Sequence, residues 1–240
     1  MTFSRRLGGV LAAGVALLAA PAATASSGPT VLFREDFEAG LTPAWVERGF
    51  PSIARRNTFA LARDDDGNHY LSVESSDSYS ARGVYLEFSP SRCRDVSWRW
   101  RVSNVVTQAD IGRRDGDDAA AKLYIVFDGP AWWNPLDKRI LVYIWDNRTP
   151  AGSVVPNTWL PDKERMIVLQ SGSARAGGAW VRESVDLERD FRRAFGGEAP
   201  GTVEGIAFLA DTDNTHQSVS AGFDDLVIRC AAADEGSTGP

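Results

Sequence analysis

Six side chains on three short segments have the types and spacing to hold a sugar. In Asp95–Val102 the residues alternate, with Trp98, Trp100 and Val102 on one side of an extended chain and Arg99 and Arg101 on the other. Ala119–Phe127 sets Leu123, Ile125 and Phe127 against Lys122 and Tyr124, and Ile140–Trp145 sets Val142 and Ile144 against Tyr143 and Trp145. Two tryptophans on one face carry enough apolar area to define a core side. The reading that follows places Arg99, Arg101, Lys122, Tyr124, Tyr143 and Trp145 together on an outer sheet face. Aromatic rings stack on the C–H face of a pyranose, and guanidinium or ammonium groups bind its hydroxyls or a carboxylate. The competing reading is a solvated face of cross-strand pairs.

Carboxylates form the second set. In Asp211-Thr212-Asp213-Asn214-Thr215-His216 an extended chain puts Asp211, Asp213 and Thr215 on one side. Two carboxylates at that spacing can share a cation, act as an acid–base pair or contribute to ligand binding, whereas the same residue types also build a self-capped turn. Gly116-Asp117-Asp118 reads as a turn leading into a strand, with a carboxylate near Lys122. Asp64-Asp65-Asp66-Gly67-Asn68 lacks the Gly and Glu spacing of a calcium loop and reads as a tight hairpin turn. A structural calcium is better served by Glu35 or Asp36 with Asp224 or Asp225, should the first and last strands meet. No other cofactor is expected. With His69 and His216 the only histidines, a zinc centre lacks ligands. Polysaccharide cleavage is the alternative chemistry: Arg99 or Arg101 would neutralise a uronate and Tyr124, Tyr143 or His216 would act as base. No nucleophile elbow, phosphate-binding loop, H-E-x-x-H or strand-borne Glu-x-Asp-x-x-Glu occurs. Trp132 and Trp133, in the loop Gly129–Asn134, offer either a stacking platform or a cover over one end of the fold.

The elements that must position these groups are short and β-like. Segments bounded by Gly, Pro, Asn and Asp recur at Val31–Phe37, Tyr70–Glu74, Gly83–Phe88, Asp95–Val102, Ala119–Phe127, Ile140–Trp145, Arg165–Gln170, Trp180–Leu187, Val203–Ala210 and Phe223–Arg229. This pattern predicts two packed antiparallel sheets, an all-β sandwich of jelly-roll type. One helix is predicted near 187–196, where Leu187, Phe191 and Phe195 recur at i, i+4, i+8 before Gly196 and Gly197.

The start of the chain reads as an export signal: Arg5 and Arg6, an apolar run from Leu7 to Ala20, then Ala23-Thr24-Ala25. Cleavage after Ala25 leaves about 215 residues, within the size of one sandwich domain over 26–230. The apolar run is short for a bilayer span, and no second span follows it. A periplasmic or secreted location is therefore expected. In such a compartment Cys93 and Cys230, the only cysteines, are expected to pair, the alternative being two buried thiols. The net charge of −6 with no basic block gives no footing for nucleic acid. The small polar residues from 231 to 240 are expected to be disordered.

Five ordered segments carry a family likeness: Trp98–Val102, Gly116–Phe127, Tyr143–Asn147, Asp190–Gly196 and Asp211–Thr215. Together they resemble an uncharacterised exported bacterial family, domain of unknown function 3047 (DUF3047). The resemblance implies an exported β-sandwich and no particular activity. The acidic, aromatic opening around Phe33–Glu38 and the closing Gly222–Ile228 resemble concanavalin-like and galactose-binding-like carbohydrate-binding jelly rolls, in which first and last strands lie side by side. The reading that follows is a non-catalytic protein that binds a polysaccharide or other glycan. A lyase or hydrolase is the first alternative and an envelope interaction module the second.

Overall fold

The computed structural model describes residues 28–128, 138–173 and 175–232. The expected export segment, the Trp132–Trp133 loop and most of the C-terminal tail lie outside the described residues. The strands are β1 (Thr30–Glu35), β2 (Val46–Arg48), β3 (Thr58–Arg63), β4 (His69–Ser76), β5 (Ala81–Phe88), β6 (Asp95–Val102) and β7 (Ala119–Phe127). They continue with β8 (Arg139–Asp146), β9 (Val154–Pro156), β10 (Glu164–Ser171), β11 (Val181–Asp186), β12 (Val203–Asp211) and β13 (Ser218–Cys230). The one α-helix among the described residues, α1 (Leu187–Ala194), links β11 to β12.

Two sheets form the sandwich. One runs β11-β6-β13-β4-β3, with β1 also paired to β13; the other runs β2-β5-β12-β7-β8-β10-β9. The first strand lies antiparallel beside the last, Thr30 opposite Cys230. Trp98, Trp100 and Val102 face the inter-sheet core, as their alternation implies, and are fully buried. Trp98 and Trp100 pack edge to face with ring centres 5.5 Å apart, and Trp145 lies 6.0 Å from Trp100. Asp186 caps α1 by accepting from the Arg189 N–H at 3.0 Å, and Gly196 and Gly197, both at positive φ, end it. Cys93 and Cys230 are disulfide-bonded, tying the end of β13 to the turn before β6.

Two expectations are corrected. The sheets are not wholly antiparallel: β10 runs parallel to β8, because the chain crosses over through β9 before returning. The facing of β8 is also inverted. Tyr143 and Trp145 point into the core, and Val142 and Ile144 point away from it. The cause is a second apolar layer in which Ile111, from the β6–β7 connection, packs with Val142, Ile144, Met166 and Val168. Both sides of β8 are thus buried, so alternation carried no sign of which was outer. The polar tips of the two aromatics are satisfied inside: Tyr143 Oη donates to Asp190 Oδ2 at 3.2 Å, and Trp145 Nε1 to the Gly172 carbonyl at 3.2 Å.

Candidate functional site

The outer face of the sheet containing β6 holds an aromatic and cationic groove. On β6, Arg99 and Arg101 point outward because Trp98 and Trp100 point in. On β13, Gly222 stands opposite Arg101 and Asp224 opposite Arg99. On β4, Ser72 stands opposite Gly222 and Glu74 opposite Ser220. Trp180 enters just before β11, whose Val181 pairs with Trp100. The Arg101 guanidinium lies 4.3 Å from the Tyr70 ring centre and 4.7 Å from that of Trp180, and Arg99 lies 4.6 Å over Trp180. Tyr70 and Trp180 meet edge to face, 5.4 Å apart at 83°. Gly222 makes this closeness possible: a Cβ there would sit 3.1 Å from both the Arg101 stem and the Tyr70 ring. Beside the cluster is a groove of about 300 Å³ lined by Tyr70, Ser72, Glu74, Arg101, Ser103 and Ser220.

The charges on this face cancel. Arg101 pairs with Asp64 at 2.8 Å, and the other oxygen of Asp64 accepts from Trp180 Nε1 at 2.8 Å, fixing the indole. Arg99 donates to Asp224 at 2.5 and 3.1 Å and reaches Asp225 at 3.3 Å, which also takes Arg182 at 2.8 Å. Burial pushes the Asp224 carboxyl above its usual range, although Asn68 and Arg99 bond to it. Burial opposes the charge on Arg99, yet the hydrogen bond and charge of Asp224, with Asp225 and Asp64, raise its pKa. The surface left to a ligand combines half-buried rings, fixed guanidinium planes and serine hydroxyls without net positive charge. Rings, guanidinium planes and hydroxyls of this kind have the chemistry to stack on and hydrogen-bond a polyol.

The structure separates the six side chains expected on one face. Arg99 and Arg101 lie on this groove, Tyr143 and Trp145 lie in the core, and Lys122 and Tyr124 lie on the far side of the other sheet. The arginines and tyrosines named for polysaccharide cleavage therefore stand on different surfaces. His216 is exposed and paired with Asp77 at 2.5 Å. The expected calcium ligands are also engaged elsewhere. Glu35 accepts from Phe37 N and Trp45 Nε1, Asp36 from Glu38 N, and Asp224 and Asp225 hold the arginines just described. A different acidic group could hold a metal: Asp118, Asp211 and Asp213 each bring a carboxylate oxygen within 4.8 Å of the others. Asp211 ends β12, and its Oδ2 bonds the buried Lys122 ammonium at 2.7 Å. Sequence reasoning missed Tyr70, Trp180 and Asp64. Tyr70, Ser72 and Glu74 do alternate outward along β4, a signal that was present, whereas the Trp180–Asp64 contact joins residues distant in sequence.

A profile for a family described as a protein of unknown function, DUF3047, matches residues 43–227. No curated protein matches the sequence. Among solved structures, the chain is similar to the N-terminal CBM22-1–CBM22-2 tandem domain of Paenibacillus barcinonensis Xyn10C, at 14% identity and a TM-score of 0.44. That match covers 91% of this chain and half (50%) of the tandem. The chain is also similar to the cellulose-induced protein Cip1, at 12% identity and TM-score 0.47, over 82% of this chain and 96% of that one. A third likeness is to the xyloglucanase domain of NopAA from Sinorhizobium fredii in complex with cellobiose, at 10% identity and TM-score 0.42, over 79% and 99% of the two chains. These likenesses are of β-sandwich architecture.

Proposed function

The chain belongs to the DUF3047 family, and for it we propose the role of an exported, non-catalytic protein that binds neutral glycan on the outer face of β6, β13 and β4. The observation that carries this reading is the cluster of Tyr70, Trp180 and Arg101 beside a groove lined by Tyr70, Arg101 and serine hydroxyls. The rings are half-buried, and their edges with stacked guanidinium groups and neighbouring hydroxyls answer the apolar and polar sides of a sugar ring. Neutral rather than acidic glycan follows from the pairing of Arg99, Arg101 and Arg182 with Asp64, Asp224 and Asp225, and from exposed Glu74 at the rim. Export to the periplasm or beyond is supported by the apolar leader of the sequence and by the Cys93–Cys230 disulfide. No helix among the described residues is long and apolar enough to cross a membrane.

The test is electrophoresis of the protein through native gels cast with neutral β-glucan, xylan or mannan, or with acidic pectate or alginate. Retardation by a neutral polymer is expected. Trp180→Ala and Tyr70→Ala, with melting temperature checked, should each weaken it by at least about tenfold, or ~1.4 kcal/mol. Preferential retardation by acidic polymers would overturn the neutral-glycan reading, and release of reducing sugar would overturn the non-catalytic one. No retardation in any gel would remove glycan binding altogether.

A further inference from the structure

On the far side of the other sheet, buried carboxyl groups gather around a buried lysine. Lys122 is buried and donates to Asp211 Oδ2 at 2.7 Å and to the Asp117 carbonyl at 3.4 Å. Around this single ammonium stand five carboxyl groups: Asp117, Asp118, Asp211 and Glu164, all buried, and the half-buried Asp213. Within this set the oxygens of Asp118, Asp211 and Asp213 converge. Asp118 is fully buried and accepts from three donors, the backbone N–H groups of Asn214 and Thr215 and the Asn214 amide, at 2.7 to 3.3 Å. Asp211 is only 3% exposed; Lys122 takes its Oδ2, and its Oδ1 is buried with no donor at all. A buried carboxyl oxygen without a donor, facing two further carboxyl groups, is costly unless a proton or a cation fills the gap, and burial pushes the Asp211 carboxyl above its usual range.

We infer that Asp118, Asp211 and Asp213 bind one divalent, oxygen-seeking cation, for which calcium is the best fit. Three converging carboxyl groups beside one lysine offer a divalent ion an oxygen-rich seat. Calcium takes irregular sets of oxygen ligands at roughly 2.3–2.6 Å, while magnesium demands near-octahedral geometry. Thr215 Oγ1, on the residue whose N–H holds Asp118, is also buried without a partner and is a candidate fourth oxygen. The ion would join the start of β7 to the end of β12. It would also steady the turn 213–216, which borders a second groove of about 380 Å³ lined in part by Gly116, Asn214 and Thr215. This site is independent of the glycan groove, which lies on the other sheet.

The test titrates calcium or magnesium into chelator-stripped full-length protein and follows melting temperature and heat of binding. Calcium should give a saturable rise of roughly 5 °C or more and a stoichiometry near one. Asp213→Asn leaves the Lys122–Asp211 pair intact and should abolish the rise, while Glu35→Gln should keep it. An absent calorimetric signal in the wild-type protein would overturn the inference without relying on any variant. So would an equal rise in Asp213→Asn, or a response to magnesium alone.

Discussion

Glu164 shows how one buried side chain can set the pH response of the fold. Burial pushes its carboxyl from an ordinary 4.5 up to about 7, against the pull of Lys122, while Asp117 adds to the rise. A folded-state pKa above the unfolded one means the native protein holds a proton that the unfolded chain has released. Stability linked to this group is therefore full below about 4.5 and lost as pH climbs towards 7. Glu164→Gln keeps the shape without the charge. The variant's melting temperature should exceed the wild type's by more at pH 8 than at pH 5, and an equal difference at both would refute the linkage. Such residues are hard to find in a sequence. Lys122 alternates with Leu123 as a solvated lysine would, and only the tertiary layering around it reveals that it is enclosed. Arg99 and Arg101 were legible for the opposite reason: the tryptophans flanking them can only be core.

Local rules work well for elements whose signal lies within their own residues. The helix α1 was readable from its apolar spacing and closing glycines, and β6 and β7 from strict alternation. The three-residue strands β2 and β9 were not, since so few residues hold no period. The parallel neighbour of β8 was not either, because nothing within Glu164–Ser171 names its partner or direction. The helix also permits a direct check of its packing. Phe191 is buried with its ring centre 4.6 Å from Phe127 and 4.5 Å from Phe195. Phe191→Ala should cost about 3–5 kcal/mol in chemical denaturation, from lost transfer energy and the cavity left behind. A loss below about 1 kcal/mol would mean the helix is not integral to the core.

On the scale of the molecule, the sandwich class followed from many short strands separated by turn residues, whereas the order of strands within each sheet did not. That order gives β13 its standing. Its thirteen residues pair with β6 along one edge and with β4 and then β1 along the other, and its outward Gly222 and Asp224 sit under the face proposed to bind glycan. The disulfide fastens this strand at its far end. Pulled between its two ends, the protein would feel the load first at Thr30 and Cys230, which face each other, so β1 should peel away one residue at a time rather than slide as a unit. The crosslink would then act as a mechanical stop. It withholds the segment from Cys93 to Cys230, a sequence separation of 137, roughly 450 Å of contour at about 3.3 Å per residue. Single-molecule stretching should release that hidden length only after reduction. A protein anchored by its tail to a polymer or a cell surface would in this way lengthen under tension while keeping β6 and β13 within one covalent loop.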